Sequence, residues 1–185
     1  MNHDLKAIIV TAAGFQDHEV VYPYFRLKGA GFSVSLVSDS RDSRGRCYGL
    51  FGTNMPCDLT YEEFASSASE MLAGYHLLVI PGGVKALEKV RLDENIVQFV
   101  SDWNSLSKPI ASTCSGAQLL ITANAVSGKT IAAYYAMKAD VENAGAKFSS
   151  DPVVVSGNIV SSPHYDFLGE WMEAVLVTLG SVSSK

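Results

Sequence analysis

Cys114 is the residue whose setting most clearly suggests chemistry. It follows the β-branched run Ile110-Ala111-Ser112-Thr113 and precedes Ser115-Gly116-Ala117-Gln118, which reads as the opening of a helix. A strand that stops abruptly, a nucleophile and then small residues make the layout of a nucleophile elbow, with sulfur in place of oxygen. Small neighbours let the backbone turn sharply and hold the side chain up in a strained conformation. At a helix start, free N–H groups and the helix dipole are expected to favour thiolate and lower its pKa. The same N–H groups, with that of Ser115 among them, suit a developing oxyanion. A structural cysteine at a strand–helix junction shares this spacing, so the assignment depends on what other turns bring to it.

Two other turns carry such residues. Asp17-His18-Glu19 follows the first apolar run, and a carboxylate there could reach a neighbouring strand end. Taken alone, Asp17 reads as a helix cap and Glu19 as a first-turn acid. Pro81-Gly82-Gly83 closes another apolar run, and its glycines allow positive φ and exposed N–H groups. The other cysteines, Cys47 and Cys57, lie in an irregular Gly-rich stretch without elbow context. With no CxxC pair and no HExxH, the sequence gives no support to a zinc site.

The elements that must position these residues alternate. Buried strands are expected at Lys6–Thr11, Ser33–Val37, His76–Ile80 and Pro109–Ser112. Helices are expected at Glu19–Ala30, Tyr61–Leu72, Asp93–Leu106, Ser115–Ala125, Tyr135–Ala144 and Tyr165–Leu179. Pro23 is compatible with the first helix if it lies near its start. Arg41–Pro56 reads as a loop or hairpin excursion, and Ser156-Gly157-Asn158 as the turn of a late hairpin. His76 falls in a buried strand pattern and reads as structural. The alternation predicts an α/β fold, a doubly wound and mostly parallel sheet with helices on both faces. Sites in such sheets lie beyond the carboxyl ends of the strands, where all three turns fall.

The chain of 185 residues is the length of one domain, expected to span 1–185. A net charge of −5 without a Lys/Arg cluster argues against a nucleic-acid partner. No apolar run is long enough for a membrane span. The N-terminus lacks a basic segment followed by a long apolar one, so no signal peptide is expected. Three cysteines at irregular spacing do not suggest a secreted disulfide framework. A cytoplasmic protein acting on a small molecule is the expectation.

In their order along the chain these segments resemble the DJ-1/PfpI superfamily, and within it the PfpI-like branch. Asp17-His18-Glu19-Val20-Val21-Tyr22-Pro23-Tyr24-Phe25-Arg26-Leu27-Lys28 is similar to that branch's first helix, with Glu19 at the position of its active-site glutamate. Val79-Ile80-Pro81-Gly82-Gly83 is similar to the strand and oxyanion turn, and Lys89-Val90-Arg91-Leu92 to the segment that follows. Lys108-Pro109-Ile110-Ala111-Ser112-Thr113-Cys114 is similar to the elbow, and Val155-Ser156-Gly157-Asn158-Ile159-Val160-Ser161-Ser162 to the late hairpin. The resemblance implies a flavodoxin-like sheet of the class I glutamine amidotransferase type. It implies a Cys114 thiolate assisted by Glu19, with Gly82, Gly83 and Ser115 at the oxyanion turn.

One position departs from the pattern. Peptidase candidates of the branch carry His directly after the cysteine, and here that residue is Ser115. Glu88 matches the glutamate of the proposed peptidase triad after a one-residue insertion, but has no adjacent imidazole to orient. His164, in a loop that runs close to the cysteine in relatives, is the candidate replacement, with His18 second. Tyr22 and Arg26 are pocket candidates; Tyr48, Tyr134 and Tyr135 are weaker ones. The activity implied is a lyase, hydratase or hydrolase reaction on a small electrophilic carbonyl or nitrile-like compound, of glyoxalase III or deglycase type. An intracellular cysteine peptidase and a non-enzymatic redox sensor or chaperone remain alternatives. No metal or organic cofactor is implied, and a homodimer or larger homo-oligomer is.

Overall fold

The computed structural model describes residues 5–182. The chain runs β1 (Lys6–Val10), α1 (Asp17–Gly29), β2 (Ser33–Ser38), β3 (Arg46–Tyr48), β4 (Asn54–Pro56), β5 (Leu59–Thr60) and α2 (Tyr61–Gly74). It continues through β6 (Leu77–Ile80), α3 (Val84–Val90), α4 (Glu94–Ser105), β7 (Ile110–Thr113), α5 (Ala117–Thr122), β8 (Thr130–Ala132) and α6 (Lys138–Asn143). It closes with β9 (Lys147–Ser149), β10 (Val154–Ser156), β11 (Ile159–Ser162) and α7 (Leu168–Val182). Seven strands form one sheet in the order β10-β11-β7-β6-β1-β2-β5. Only the β10–β11 pair is antiparallel.

The central strands are apolar or small along their whole length because helices cover both faces. Every residue of β6, β7 and β11 is buried, as are four of five in β1. Helix α4 turns Ile96, Phe99, Val100 and Trp103 inward, and Phe99 meets Phe64 of α2 edge-to-face at 4.9 Å. Both buried tryptophans satisfy their indole N–H on strand-end carbonyls, Trp103 on Pro109 at 2.9 Å and Trp171 on Val160 at 3.1 Å.

The strand order sets the place of the site. From β1 the chain moves to β2 and β5 on one side, then returns to β6, β7 and β11 on the other. The winding reverses between β1 and β6, and ligands bind at such a switch point in open α/β sheets. Glu19 follows β1, Gly82 follows β6, Cys114 follows β7 and His164 follows β11.

Several elements differ from the sequence expectation. Helix α1 begins at Asp17, and Pro23 is buried in its middle rather than near its start. Asp17 does not cap this helix. Its carboxylate accepts the N–H groups of Phe51 and Thr53, both at 2.9 Å, and so fastens the β3–β4 hairpin, the form the irregular stretch takes. The helices expected from Ser115, Tyr135 and Tyr165 each open with a single 3-10 turn, so α5, α6 and α7 start later. His76 is exposed just ahead of β6, accepting the Lys6 N–H at 3.1 Å. Short β5, α3 and the β8–β9 pair add to the expected elements; pieces this brief leave little periodicity in the sequence.

Burial opposes ionisation of Asp17, but the Phe51 and Thr53 hydrogen bonds outweigh it and hold its pKa below the ordinary value. Asp17→Ala leaves two N–H groups without acceptors and is expected to cost about 2–4 kcal/mol, read as a lower urea midpoint at pH 7. An unchanged midpoint would show that the hairpin loop does not need this carboxylate.

Candidate active site

Cys114 adopts φ +55°, a left-handed conformation rare for a residue with a Cβ. Such a backbone costs about 1–3 kcal/mol and persists only where its surroundings enforce it. Gly116 is part of that enforcement. A Cβ there would strike the Ile80 carbonyl and lie 2.8 Å from Ser112 Oγ, so the turn fits against β6 only with glycine.

Gly82 is needed for a second close approach. A Cβ at this position would collide with Glu19 Oε2 and lie 2.8 Å from Cys114 Cβ and 3.2 Å from Cys114 Sγ. Carboxyl and thiol therefore converge over the bare backbone of Gly82. Its N–H donates to Glu19 Oε2 at 2.6 Å, and the carboxyl lies near enough to the Cys114 sulfur for each to perturb the other's ionisation. Glu19 is fully buried, and its Oε1 meets no nitrogen or oxygen partner among the described residues.

This environment overturns the expected low thiol pKa. Burial and the Glu19 carboxylate push Cys114 up to about 12, against hydrogen bonds from the Ser115 N–H and hydroxyl that favour thiolate. The elbow opens a 3-10 turn and then a six-residue helix, a weaker source of dipole than the long helix expected. Burial likewise pushes Glu19 up to about 7, against the Gly82 and Cys114 hydrogen bonds. Above about pH 7 Glu19 is thus ionised while the thiol keeps its proton, so the pair carries one proton, on the sulfur.

The oxyanion turn is also used differently from the expectation. The Gly82 N–H serves Glu19, and the Gly83 N–H donates to Ser115 Oγ at 3.0 Å. Ser115 thus links the Pro81–Gly83 turn to the sulfur, a role its position after the cysteine did not signal.

A cavity of about 520 Å³ opens above the pair, lined by Glu19, Cys114, Ser115, Tyr134, His164 and Tyr165, with Leu50, Val84 and Lys85 also contributing. His164 lies against Tyr165 with centroids 3.8 Å apart and the rings tilted by 38°, and faces Tyr134 at 6.5 Å. Its Nδ1 is engaged by Asp166, 3.4 Å from the backbone N–H and 3.1 Å from Oδ2, which leaves Nε2 available to a ligand. His18 is exposed outside the cavity, 5.4 Å from the Tyr165 ring. Tyr22 and Arg26 do not line it either. Arg26 lies seven residues, roughly 10 Å, down the helix from Glu19 and pairs with Glu173 of α7 at 3.3 Å. Tyr48 donates to Asp42 at 2.7 Å, and Tyr135 reaches the site through Tyr134, accepting its hydroxyl at 2.9 Å and packing ring to ring at 4.2 Å. Glu88 is exposed on α3. Among the described residues no cluster of three or more His, Cys, Asp or Glu is placed to hold a metal ion, and no helix is long and apolar enough to cross a membrane.

A cysteine on a strained elbow beside a buried acid, at the floor of a switch-point cavity, marks out one class of α/β proteins. The chain belongs to the DJ-1/PfpI family, whose model matches residues 5–178. It is 36% identical over 168 residues to Deglycase PfpI of Pyrococcus furiosus, covering 91% of this chain and 95% of the relative. A deglycase of Pyrococcus horikoshii is 38% identical with the same coverage. A crystal structure from Anabaena variabilis, with DJ-1/ThiJ/PfpI-like and ferritin-like domains, superposes with a TM-score of 0.85 at 29% identity. The match covers 95% of this chain and 48% of that one, so the chain spans about half the length of the two-domain protein.

Two measurements probe the shared proton. Cys114 should be alkylated by limiting iodoacetamide before Cys47 and Cys57, which are 2% and 5% exposed. Its rate should climb as Glu19 ionises near pH 7 and becomes the base for the thiol proton. In Glu19→Gln that rise should vanish; faster labelling of either other cysteine, or a rise that survives, contradicts the assignment.

The second is stability. Glu19 rises from an ordinary 4.5 to about 7 on folding, so folding favours its protonated form. The stability linked to that proton is full below pH 4.5 and is lost as pH climbs to 7, a loss of about 3 kcal/mol. Gln has no such proton to lose. Relative to wild type, Glu19→Gln should therefore gain in thermal midpoint between pH 4.5 and 7; parallel curves would mean that Glu19 titrates normally.

Proposed function

We propose that the chain is a cysteine-dependent enzyme of deglycase or glyoxalase III type, acting on a small electrophilic carbonyl compound through Cys114 assisted by Glu19. The observation that carries this reading is the fully buried Glu19 carboxyl held against the sulfur beneath a cavity of small-molecule size. The deglycase names of the relatives agree with it.

A carboxyl with a pKa near 7 both takes and returns a proton at neutral pH. In the proposed first step the sulfur attacks the carbonyl carbon while the thiol proton passes to Glu19. The carbonyl oxygen becomes an alkoxide, which the Glu19 proton then neutralises to give a hemithioacetal. Because the Gly82 and Gly83 N–H groups are already engaged, His164 Nε2 is the proposed donor to the alkoxide. Ser115 in place of an imidazole, and Glu88 outside the cavity, weigh against a peptidase. The proposal includes a homodimer or larger homo-oligomer, supported by Tyr22 and Phe25, exposed at 37% and 60% on α1.

Turnover of methylglyoxal and of methylglyoxal-modified amino acids tests the reading. Cys114→Ala should abolish it, and Glu19→Gln should reduce kcat at least about 100-fold without loss of fold. His164→Ala should remove a limb of the pH–rate profile, while Ser115→Ala should alter the rate only modestly. Turnover that persists in Cys114→Ala, or is absent in the wild type, rejects the proposal.

A further inference from the structure

The β3–β4 hairpin carries the two cysteines that the site does not use. Cys47 lies opposite Met55, and the Cys57 N–H donates to Gly45 O at 2.9 Å, extending the same ladder by one step. Side chains alternate along strands, so residues 47, 55 and 57 share a face. There the two sulfurs sit diagonally across the ladder, near enough for each to perturb the other's ionisation. Both are buried, and each also reaches a carbonyl, Cys47 that of Met55 at 3.8 Å and Cys57 that of Leu59 at 3.3 Å.

The hairpin is tied to the active site at several points. Tyr48 O accepts the Gly14 N–H and Phe15 O accepts the Leu50 N–H, both at 2.8 Å. Asp17, two residues before Glu19, holds the N–H groups of Phe51 and Thr53. Leu50 itself lines the cavity.

We propose that Cys47 and Cys57 form a reversible internal disulfide, a redox-modification site separate from Cys114 that staples the hairpin bordering the cavity. The oxidant is a low-molecular-weight disulfide. Cys57 attacks one of its sulfurs, giving a mixed disulfide and releasing one small thiol. Cys47 then attacks the Cys57 sulfur, closing the Cys47–Cys57 bond and releasing the second. The protein loses two electrons and two protons, and the oxidant becomes two thiols. The order follows from surroundings. The Arg41 guanidinium donates to the Cys57 carbonyl at 3.4 Å and its positive charge favours thiolate there, whereas Cys47 is the more deeply buried of the two. Attack requires thiolate, so Cys57 reacts first.

The test treats folded Cys114→Ser protein with oxidised glutathione in the absence of denaturant. No Lys or Arg separates Cys47 from Cys57, so trypsin leaves both on one peptide, expected to be lighter by two hydrogens. Chymotrypsin, cutting between them at Tyr48 or Phe51, should give two pieces that stay joined until reduced. The oxidised protein should melt about 5 °C higher, as expected for a closed loop. Cys47→Ala should trap glutathione on Cys57 and lose the shift. The proposal is overturned if both thiols stay free in the folded protein or the link joins two chains. An unchanged or lower midpoint in the linked protein overturns the staple, and trapping on Cys47 in Cys57→Ala faster than on Cys57 in Cys47→Ala reverses the order.

Discussion

The structure is organised around one contact: a buried carboxyl against a sulfur, with a glycine beneath them that has no room for a methyl group. Both groups are acids; burial makes the ionisation of each more costly, and the Glu19 carboxylate adds to the cost for the thiol. The Gly82 N–H offsets part of that cost for Glu19, and Ser115 offsets part of it for Cys114. The result is not a standing thiolate: at neutral pH the sulfur keeps its proton beside a carboxyl that is itself close to its titration point.

Everything else serves to bring four strand ends to that contact. Reversal of the winding between β1 and β6 opens the crevice, and the small residues of the elbow allow β7 to approach β6 closely. The hairpin and the His164 loop then wall the crevice with apolar and aromatic surface. Asp17 makes one side of this wall part of the helix that carries Glu19, because its carboxylate grips the hairpin loop. The same helix thus fixes Glu19 and the cavity rim.

Cys114, Glu19 and the Pro81-Gly82-Gly83 turn were legible in the sequence because each ends a buried strand and sits in an ordered set of segments. The ionisation of the thiol was not, since local sequence shows a helix start but not how deeply the sulfur is buried or how near a carboxylate comes. Ser115 read as a missing imidazole. Its hydrogen bond from Gly83 spans 32 residues and becomes visible only once β6 and β7 are paired. Tyr22 and Arg26 follow Glu19 at helical spacing, which suggests a shared face but not the distance travelled along the axis. The cross-linking role of Asp17 was hidden behind its ordinary suitability as a cap.

The parallel sheet also governs when the reactive centre comes into being. Residues 19, 82, 114 and 164 come from points spread over most of the chain, and no hairpin or other local unit contains more than one of them. Pairings at such separations form late, after long loops have been closed against their entropy. During synthesis the Cys114 segment emerges well before β11 and the His164 loop, as an unstrained chain with an ordinary thiol. Completion of the sheet is therefore what creates the strained, buried setting of Cys114, and an incompletely folded or truncated chain carries this cysteine as an ordinary thiol.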